Sequence, residues 1–316
     1  MPELPEVEYT ARQLRASAVG ATIREAQVFW DRTISHPAVP DFLAEIAGRQ
    51  IEGVRRRGKY LLIDLSGNLF LSIHRRMTGN FLLLPAGYEI DTALRESDIA
   101  AWNTKGPIFS IPQEAGPSYS HELRYCRVAF AFEDGRCLLF TDPRKFGKVG
   151  LWTREREQDA LKGLGPEPLE ADFSLADFAT TLAARRTVIK QVLLDQTVVA
   201  GVGNIYADEA LFFAQIHPLR RADSLTPAEI QLLHQGIISV LTLGIEHGGT
   251  SFNDYRDLWG EVGENFNHVR VYHQEGQPCG RCGTTIERMT IGQRSAHFCP
   301  TCQIAPASRG DVVVTV

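Results

Sequence analysis

The chain is short of the features that mark several protein classes. Basic residues do not outnumber acidic ones: 33 Lys and Arg against 38 Asp and Glu give a formal charge of −5 over 316 residues. That excludes indiscriminate polyanion binding by the whole surface, but not a local basic groove. No apolar run reaches the length that spans a bilayer, so no membrane partner is expected. The N-terminus lacks a basic stretch followed by an apolar one, and a cytoplasmic location is expected. Only two of the six cysteines, Cys126 and Cys137, lie outside a C-terminal cluster, both in apolar strand-like runs that suit buried thiols. There is no internal repeat and no low-complexity tract. Nothing calls for an obligate oligomer, so a monomer is expected.

What is present supports a normal core, with 44% hydrophobic and 22% charged residues. The length suits one large domain or two ordinary ones. Residues 5–15 read as a helix, with Pro5 in its first turn and Val7, Ala11 and Leu14 on one face. From 22 to 84 the pattern is of strands, including 59–65, a Ser-Gly-Asn turn and 69–73, interrupted by a short helix over 41–47. Residues 85–121 are rich in Pro, Gly and Ser and read as a long loop or insertion. Strands resume over 127–133, 137–141 and 148–152. After a linker at 163–168 the pattern turns helical. Ser174 to Asp177 and Thr226 to Glu229 have capping-box spacing, and the second helix is expected over 226–246.

Three local patterns carry chemistry. Cys279-Gly-Arg-Cys282 and Cys299-Pro-Thr-Cys302 are separated by a stretch long enough for a β-hairpin. Two such pairs grip a tetrahedral Zn²⁺ through four thiolates and leave no open position, so the metal would be structural. An iron–sulfur cluster or redox pairs are the alternatives. Met1-Pro2-Glu3 is the second pattern. Loss of the initiator Met would leave Pro2 with a secondary amine, partly unprotonated at neutral pH, that attacks electrophilic carbon, with Glu3 beside it to move protons. The same dipeptide also occurs without meaning. Third, Gly201-Val-Gly-Asn204-Ile-Tyr206 lies between two helix-like segments, 187–195 and 207–214. Glycines there let backbone N–H groups reach a phosphate at a helix N-terminus, or simply make a tight turn.

Taken together, these motifs resemble bacterial formamidopyrimidine-DNA glycosylases. The resemblance starts with Met1-Pro2-Glu3-Leu4-Pro5-Glu6-Val7-Glu8 and runs through Arg56-Arg57-Gly58-Lys59-Tyr60 and Met77-Thr78-Gly79. It continues with Thr141-Asp142-Pro143-Arg144-Lys145-Phe146-Gly147, 164–169, 201–206 and the four cysteines. It spans nearly the whole chain, except 86–121 and the last dozen or so residues.

That resemblance implies an α+β protein: an N-terminal β-sandwich with flanking helices, then a helix–two-turn–helix domain with a zinc ribbon hairpin. The implied partition is a catalytic domain over 2–162, a linker over 163–169, the helical domain over 170–268 and the zinc hairpin over 269–304. The implied activity is bifunctional excision of oxidised purines from damaged double-stranded DNA, followed by β,δ-elimination. Pro2 is the implied nucleophile at C1′ and Glu3 the adjacent acid/base, with Lys59 near the lesion phosphates and Arg294 gripping phosphate. Met77, Arg144 and Phe146 fill the gap left by an everted base, with Arg144 facing its orphaned partner. Lys190, Asn204 and Tyr206 help hold the DNA backbone. Cys279, Cys282, Cys299 and Cys302 bind one structural zinc.

Two stretches depart from the family pattern. Arg75-Arg76 stands before Met77 where an apolar residue and Gly are usual, adding charge that strengthens phosphate contact or alters damage preference. Trp259-Gly260 replaces the more usual Asp-Gly in 252–266, which resembles the loop covering the extruded base. An endonuclease VIII-like preference for oxidised pyrimidines is the near rival, disfavoured by Leu4 where that branch has Gly. A noncatalytic DNA-binding protein and an N-terminal-proline tautomerase are more distant ones. Without the resemblance, Met77 and Phe146 read best as core residues.

Overall fold

The computed structural model describes residues 1–87, 89–90, 109–110, 123–252 and 255–305. They form two compact units. One holds Met1–Pro2, Glu6–Lys162 and Gly248–Gly263; the other holds Glu3–Pro5, Gly163–His247 and the chain from Glu264 onward.

The first unit begins with α1 (Leu4–Ala18), which buries Val7, Ala11, Leu14 and Ala18 at helical spacing. Strands β1 (Thr22–Val28), β2 (Ile34–His36), β3 (Arg49–Arg57), β4 (Tyr60–Leu65), β5 (Leu69–His74) and β6 (Asn80–Leu84) follow, with α2 (Val39–Ile46) between β2 and β3. A two-residue ladder pairs β7 (Glu89–Ile90) with β8 (Phe109–Ser110). The rest of the loop expected over 85–121 lies largely outside the described residues. Then come β9 (Cys126–Phe132), β10 (Cys137–Thr141), β11 (Lys148–Thr153) and the short α3 (Glu157–Ala160).

Nine of these strands hydrogen-bond in the order β2-β11-β5-β4-β3-β1-β9-β10-β6. All neighbours are antiparallel except β11 and β2. Only two residue pairs, Thr22 with Gln50 and Ile23 with Arg49, join β1 to β3. The halves on either side of that joint share one apolar cluster. Leu61, Ile63, Leu71 and Ile73 meet Phe81, Val128, Phe130 and Phe140 within it. This is the sandwich expected from the sequence, drawn from one continuous ladder.

The segment Gly248–Gly263 belongs to this β unit, whereas the sequence reading grouped it with the helices. The reason is local bonding. Leu258 is fully buried in the sheet core, its carbonyl accepts from Leu83 N at 3.0 Å, and its N–H donates to Gln13 Oε1 at 2.9 Å.

In the second unit, α4 (Leu175–Ala183) is capped by Ser174, whose hydroxyl accepts from Asp177 N. After α5 (Ile189–Leu194) and α6 (Asn204–Phe213), α7 (Pro227–Glu246) opens with a complete Thr226/Glu229 capping box. This last helix corrects the expectation that no stretch is long and apolar enough to cross a membrane: by length and composition α7 is. It buries Ile230, Leu233, Ile237, Leu241 and Ile245 inside the unit, as the core helix of a folded domain does. The hairpin of β12 (Glu287–Ile291) and β13 (Arg294–Phe298) lies between the two cysteine pairs, as their spacing predicts.

Candidate active site and nucleic-acid-binding residues

Glu3 is held on several sides within the second unit. It is 2% exposed, and its carboxylate accepts from Ile205 N at 3.0 Å and Tyr206 N at 3.4 Å. These are first-turn donors of α6, which have no partner within their own helix and carry the positive end of its dipole. Gly203, the N-cap of α6, makes room: a Cβ there would lie 2.3 Å from Glu3 Cδ. Leu4 N donates to Gly201 O at 3.0 Å, which lays the Glu3-Leu4 segment on the same turn. The helix end thus receives one of the protein's own carboxylates, one residue from Pro2 in sequence. Pro2 itself is buried in the first unit.

Three residues expected on the DNA side differ in exposure. Lys190 is completely buried, with its ammonium 2.5 Å from Asp208 Oδ1 and 2.5 Å from Ser295 O. Burial lowers its pKa against the pull of Asp208. Tyr206 is 1% exposed, and Gly244 leaves the space its hydroxyl occupies. Both side chains are buried and contact other groups of the same unit. Asn204 is half-buried and donates from Nδ2 to Ser295 Oγ at 3.2 Å. Lys190 and Asn204 therefore both hold Ser295, and its neighbour Arg294 is exposed at the start of β13. Asp208 adds a second anchor, accepting from His297 N at 2.9 Å. The exposed side chain next to these buried groups is Arg294.

In the first unit the structure gathers residues far apart in sequence. Met77 is 36% and Phe146 48% exposed, which overturns the core reading of both. Arg144 lies between them, with Nη1 3.1 Å from Met77 Sδ and its guanidinium 4.8 Å from the Phe146 ring centre. Sequence reasoning passed over the residue that assembles them. Asp142 is wholly buried and accepts from Phe146 N and Gly147 N, both at 2.7 Å, and from Arg144 N at 3.1 Å. Asp142 Oδ1, the oxygen that accepts from Arg144 N, also accepts from the hydroxyl of Thr78, next to Met77. An Asp preceding Pro is a turn signal, and here the turn is tied to a second one.

Lys59 is buried at the two-residue turn between β3 and β4. Nearby His74 accepts from Arg76 N at 3.0 Å, and burial, helped by Arg76 and Lys59, lowers its pKa to about 3. The basic runs read from the sequence divide. Arg55 is bound to Asp64 and Glu157, Arg56 to Glu8, and Arg75 is buried, so these three serve the fold. The exposed side chains around Met77 include Arg76 and Arg144. Trp259 is also exposed, on a turn where Asp257 accepts from its N–H at 2.9 Å.

The four cysteine sulfurs all lie within 4.8 Å of one another, with Cys279 to Cys302 at 4.0 Å and Cys282 to Cys299 at 3.4 Å. A tetrahedral zinc with bonds of about 2.3 Å sets its sulfurs about 3.8 Å apart, so the donor set fits. Backbone N–H groups of Arg281 and Cys302 point at Cys279 and Cys299 sulfurs, as thiolate ligands require.

Family models match three consecutive parts of the chain. The formamidopyrimidine-DNA glycosylase N-terminal domain matches 1–149, the H2TH domain of the same enzymes 164–256, and the zinc finger found in FPG and IleRS 276–304. With that match the C-terminal cluster is a binding site for one structural zinc. A formamidopyrimidine-DNA glycosylase of Herpetosiphon aurantiacus is 43% identical over 96% of this chain and all of its own. One from Enterococcus faecalis is 42% identical over 96% of this chain and 97% of its own. Among solved structures, the Lactococcus lactis Fpg in complex with abasic-site DNA has a TM-score of 0.81 at 32% identity. It covers 96% of this chain and all of that one. A variant of the same enzyme, bound to Fapy-dG containing DNA, has a TM-score of 0.81 at 33% identity over the same shares. By full-length identity and three successive domain matches, the chain belongs to the formamidopyrimidine-DNA glycosylase family.

Proposed function

We propose that this glycosylase removes oxidised purines, 8-oxoguanine and formamidopyrimidines, from duplex DNA and then cuts the strand, with the amine of Pro2 as nucleophile. The observation that carries this reading is the seat of Glu3. A carboxylate held by two helix-end N–H groups and adjacent in sequence to Pro2 supports a role in moving protons during chemistry at that amine.

Removal of Met1 exposes the secondary amine. Its lone pair forms a bond to C1′ as the glycosidic bond breaks, and the departing base takes a proton. Loss of the amine proton and opening of the sugar give an iminium, which acidifies C2′–H. Removing that proton expels the 3′ phosphate, and a second elimination expels the 5′ phosphate. Met77 and Phe146 fill the space of the everted base, whose extrusion costs a few kcal/mol. Arg144 presents its planar guanidinium to the orphaned partner. Arg294 and Lys59 bind phosphate, and Lys190, Asn204 and Tyr206 act through the segments they hold. The work is done as a monomer on cytoplasmic DNA.

The test is borohydride trapping on duplexes that each carry one defined lesion. A covalent complex is expected with wild type and not with Pro2→Gly, and intact mass should lack Met1. Retained Met1 in fully active protein rejects the nucleophile. The panel includes oxidised pyrimidines, because one Lactococcus lactis Fpg complex contains such DNA. Faster release of pyrimidine than purine lesions would reverse the substrate assignment.

A further inference from the structure

The first of the two departures from the family pattern, Arg75-Arg76, divides in the structure. Arg76 is exposed, but Arg75 is among the largest fully buried side chains of the described residues. A guanidinium has five N–H donors, and leaving any of them unmet in the interior is costly. Here each has an acceptor. Nε donates to Gly79 O at 2.7 Å. Nη1 donates to Thr10 Oγ1 at 3.0 Å and Glu6 O at 3.4 Å. Nη2 donates to Asn80 Oδ1 and, at 3.5 Å, to Arg256 O. The Tyr255 ring covers the guanidinium, 5.1 Å from ring centre to Cζ. None of the five acceptors is a carboxylate, so no ion pair among them accounts for a charge kept at this depth.

The acceptors come from three stretches. Gly79 ends the turn between β5 and β6 that has Met77 at its tip, and Asn80 opens β6. Glu6 and Thr10 lie on α1, which starts two residues after Pro2. Tyr255 and Arg256 lie in the segment that resembles the cover over an extruded base. The turn has no slack: Gly79 N returns to Arg75 O at 3.0 Å, and a Cβ on Gly79 would lie 2.6 Å from that same oxygen. Asn80 Oδ1 reinforces the junction by also accepting from Arg256 N at 3.3 Å.

We propose that Arg75 is a positioning residue that couples the Met77 turn to the base-covering segment, so that filling the void and enclosing the everted base occur together. The inference rests on the excision reading above. Arg75 touches no reacting atom. An apolar residue in its place would fill the core but leave Gly79, Thr10, Asn80 and Arg256 without their common donor, and the two segments would settle independently.

The test uses full-length zinc-loaded protein and duplexes carrying a formamidopyrimidine lesion or a pre-formed abasic site. Arg75→Leu is expected to slow single-turnover base release by about 10- to 100-fold, the scale of a misplaced group remote from the chemistry. Abasic-site cleavage should stay within about threefold of wild type, since no base has to be extruded or enclosed. A double-mutant cycle reads the coupling itself. Met77→Ala and Tyr255→Leu should be non-additive with Arg75 present, by about fivefold or more, and additive in the Arg75→Leu background. Thr10→Ala removes one acceptor of five and should show the same pattern, weaker, should Arg75→Leu fail to fold. Unchanged base release overturns the proposal. So does loss of both activities in step with a lower melting temperature, which is what plain structural support predicts. Wild type inert on every lesion duplex would reject the excision reading instead, a result distinct from active wild type with indifferent variants.

Discussion

The two units differ in what meets their buried charges. The β unit encloses a cation, Arg75, among carbonyls, a hydroxyl and an amide. The helical unit encloses a cation, Lys190, in direct contact with the carboxylate of Asp208, and meets its other buried carboxylates with backbone N–H groups. Glu3 sits on the first turn of α6, and Glu209 accepts from Arg270 N, Val271 N and Tyr272 N at 2.8 to 2.9 Å. Burial still raises the pKa of Glu209 despite those three donors. The difference follows from backbone accounting. A sheet spends its N–H groups on its ladders, so charges buried there are met by turns and side chains: Arg75 by the Gly79 carbonyl, Asp142 by N–H groups of its own turn. Helices leave first-turn N–H groups without partners, and these suit a carboxylate. Glu3 belongs to the helical unit, and the exposed Met77 and Phe146 to turns of the β unit.

The strongest way to sharpen this contrast is to remove the metal. Chelation or Cys299→Ser should release the β12–β13 hairpin, since zinc contributes about 10–16 kcal/mol of apparent binding energy in isolated finger peptides. Hydrogen exchange should rise over 276–304 and leave β3 to β5 protected, while DNA affinity falls as Arg294 loses its strand. Elemental analysis should find one zinc per chain. Equal loss of protection in both units would break the comparison.

A smaller disturbance is Gly203→Ala. The backbone there is extended, with φ −130°, so only space is at issue. The added methyl would meet Glu3, and overpacking of this kind costs about 1–3 kcal/mol. Base release and strand cleavage should both fall, because the mechanism proposed above uses the same carboxylate in both. A variant with wild-type rates would show that the placement of Glu3 is unimportant.

The first unit carries its own pH signature in His74. Its folded pKa is lowered to about 3 by burial, whereas an ordinary histidine titrates near 6.5. Below about 6.5 the unfolded chain takes up a proton that the folded one refuses, so stability is fully present above 6.5 and declines as pH falls toward 3. At pH 5 the loss is on the order of 2 kcal/mol. Denaturant titrations of His74→Gln should show a flatter profile between pH 6.5 and 4 than wild type. The same slope in both proteins would remove His74 as its source.

The smallest stability effects belong to the exposed apolar pair. Met77→Ala and Phe146→Ala should change unfolding free energy by no more than about 0.5 kcal/mol, as surface substitutions do. Duplex base release should slow, and abasic cleavage should not. A loss of about 2–5 kcal/mol would restore the core reading.

Much of this was legible beforehand, for identifiable reasons. The cysteine spacing announces its hairpin because chelation demands two pairs at a turn's distance. Thr226 and Glu229 mark the start of α7 because a capping box is local. Glu3 beside Pro2 was readable as an acid, but its partners, Ile205 and Tyr206, lie some two hundred residues away. Asp142 was visible only as part of a motif, since its bond to Thr78 crosses 64 residues.

By itself the sequence determined what depends on neighbours along the chain: the helix caps, the strand runs, the thiolate pairs and the family. The tertiary structure alone decided which polar and apolar side chains face inward. Met77 and Phe146 are apolar yet exposed, while Arg75 and Lys190 are charged yet buried. Residue type cannot foretell that, because burying a charge depends on acceptors gathered from distant segments. Arg75 has five such acceptors and Lys190 has Asp208 and Ser295.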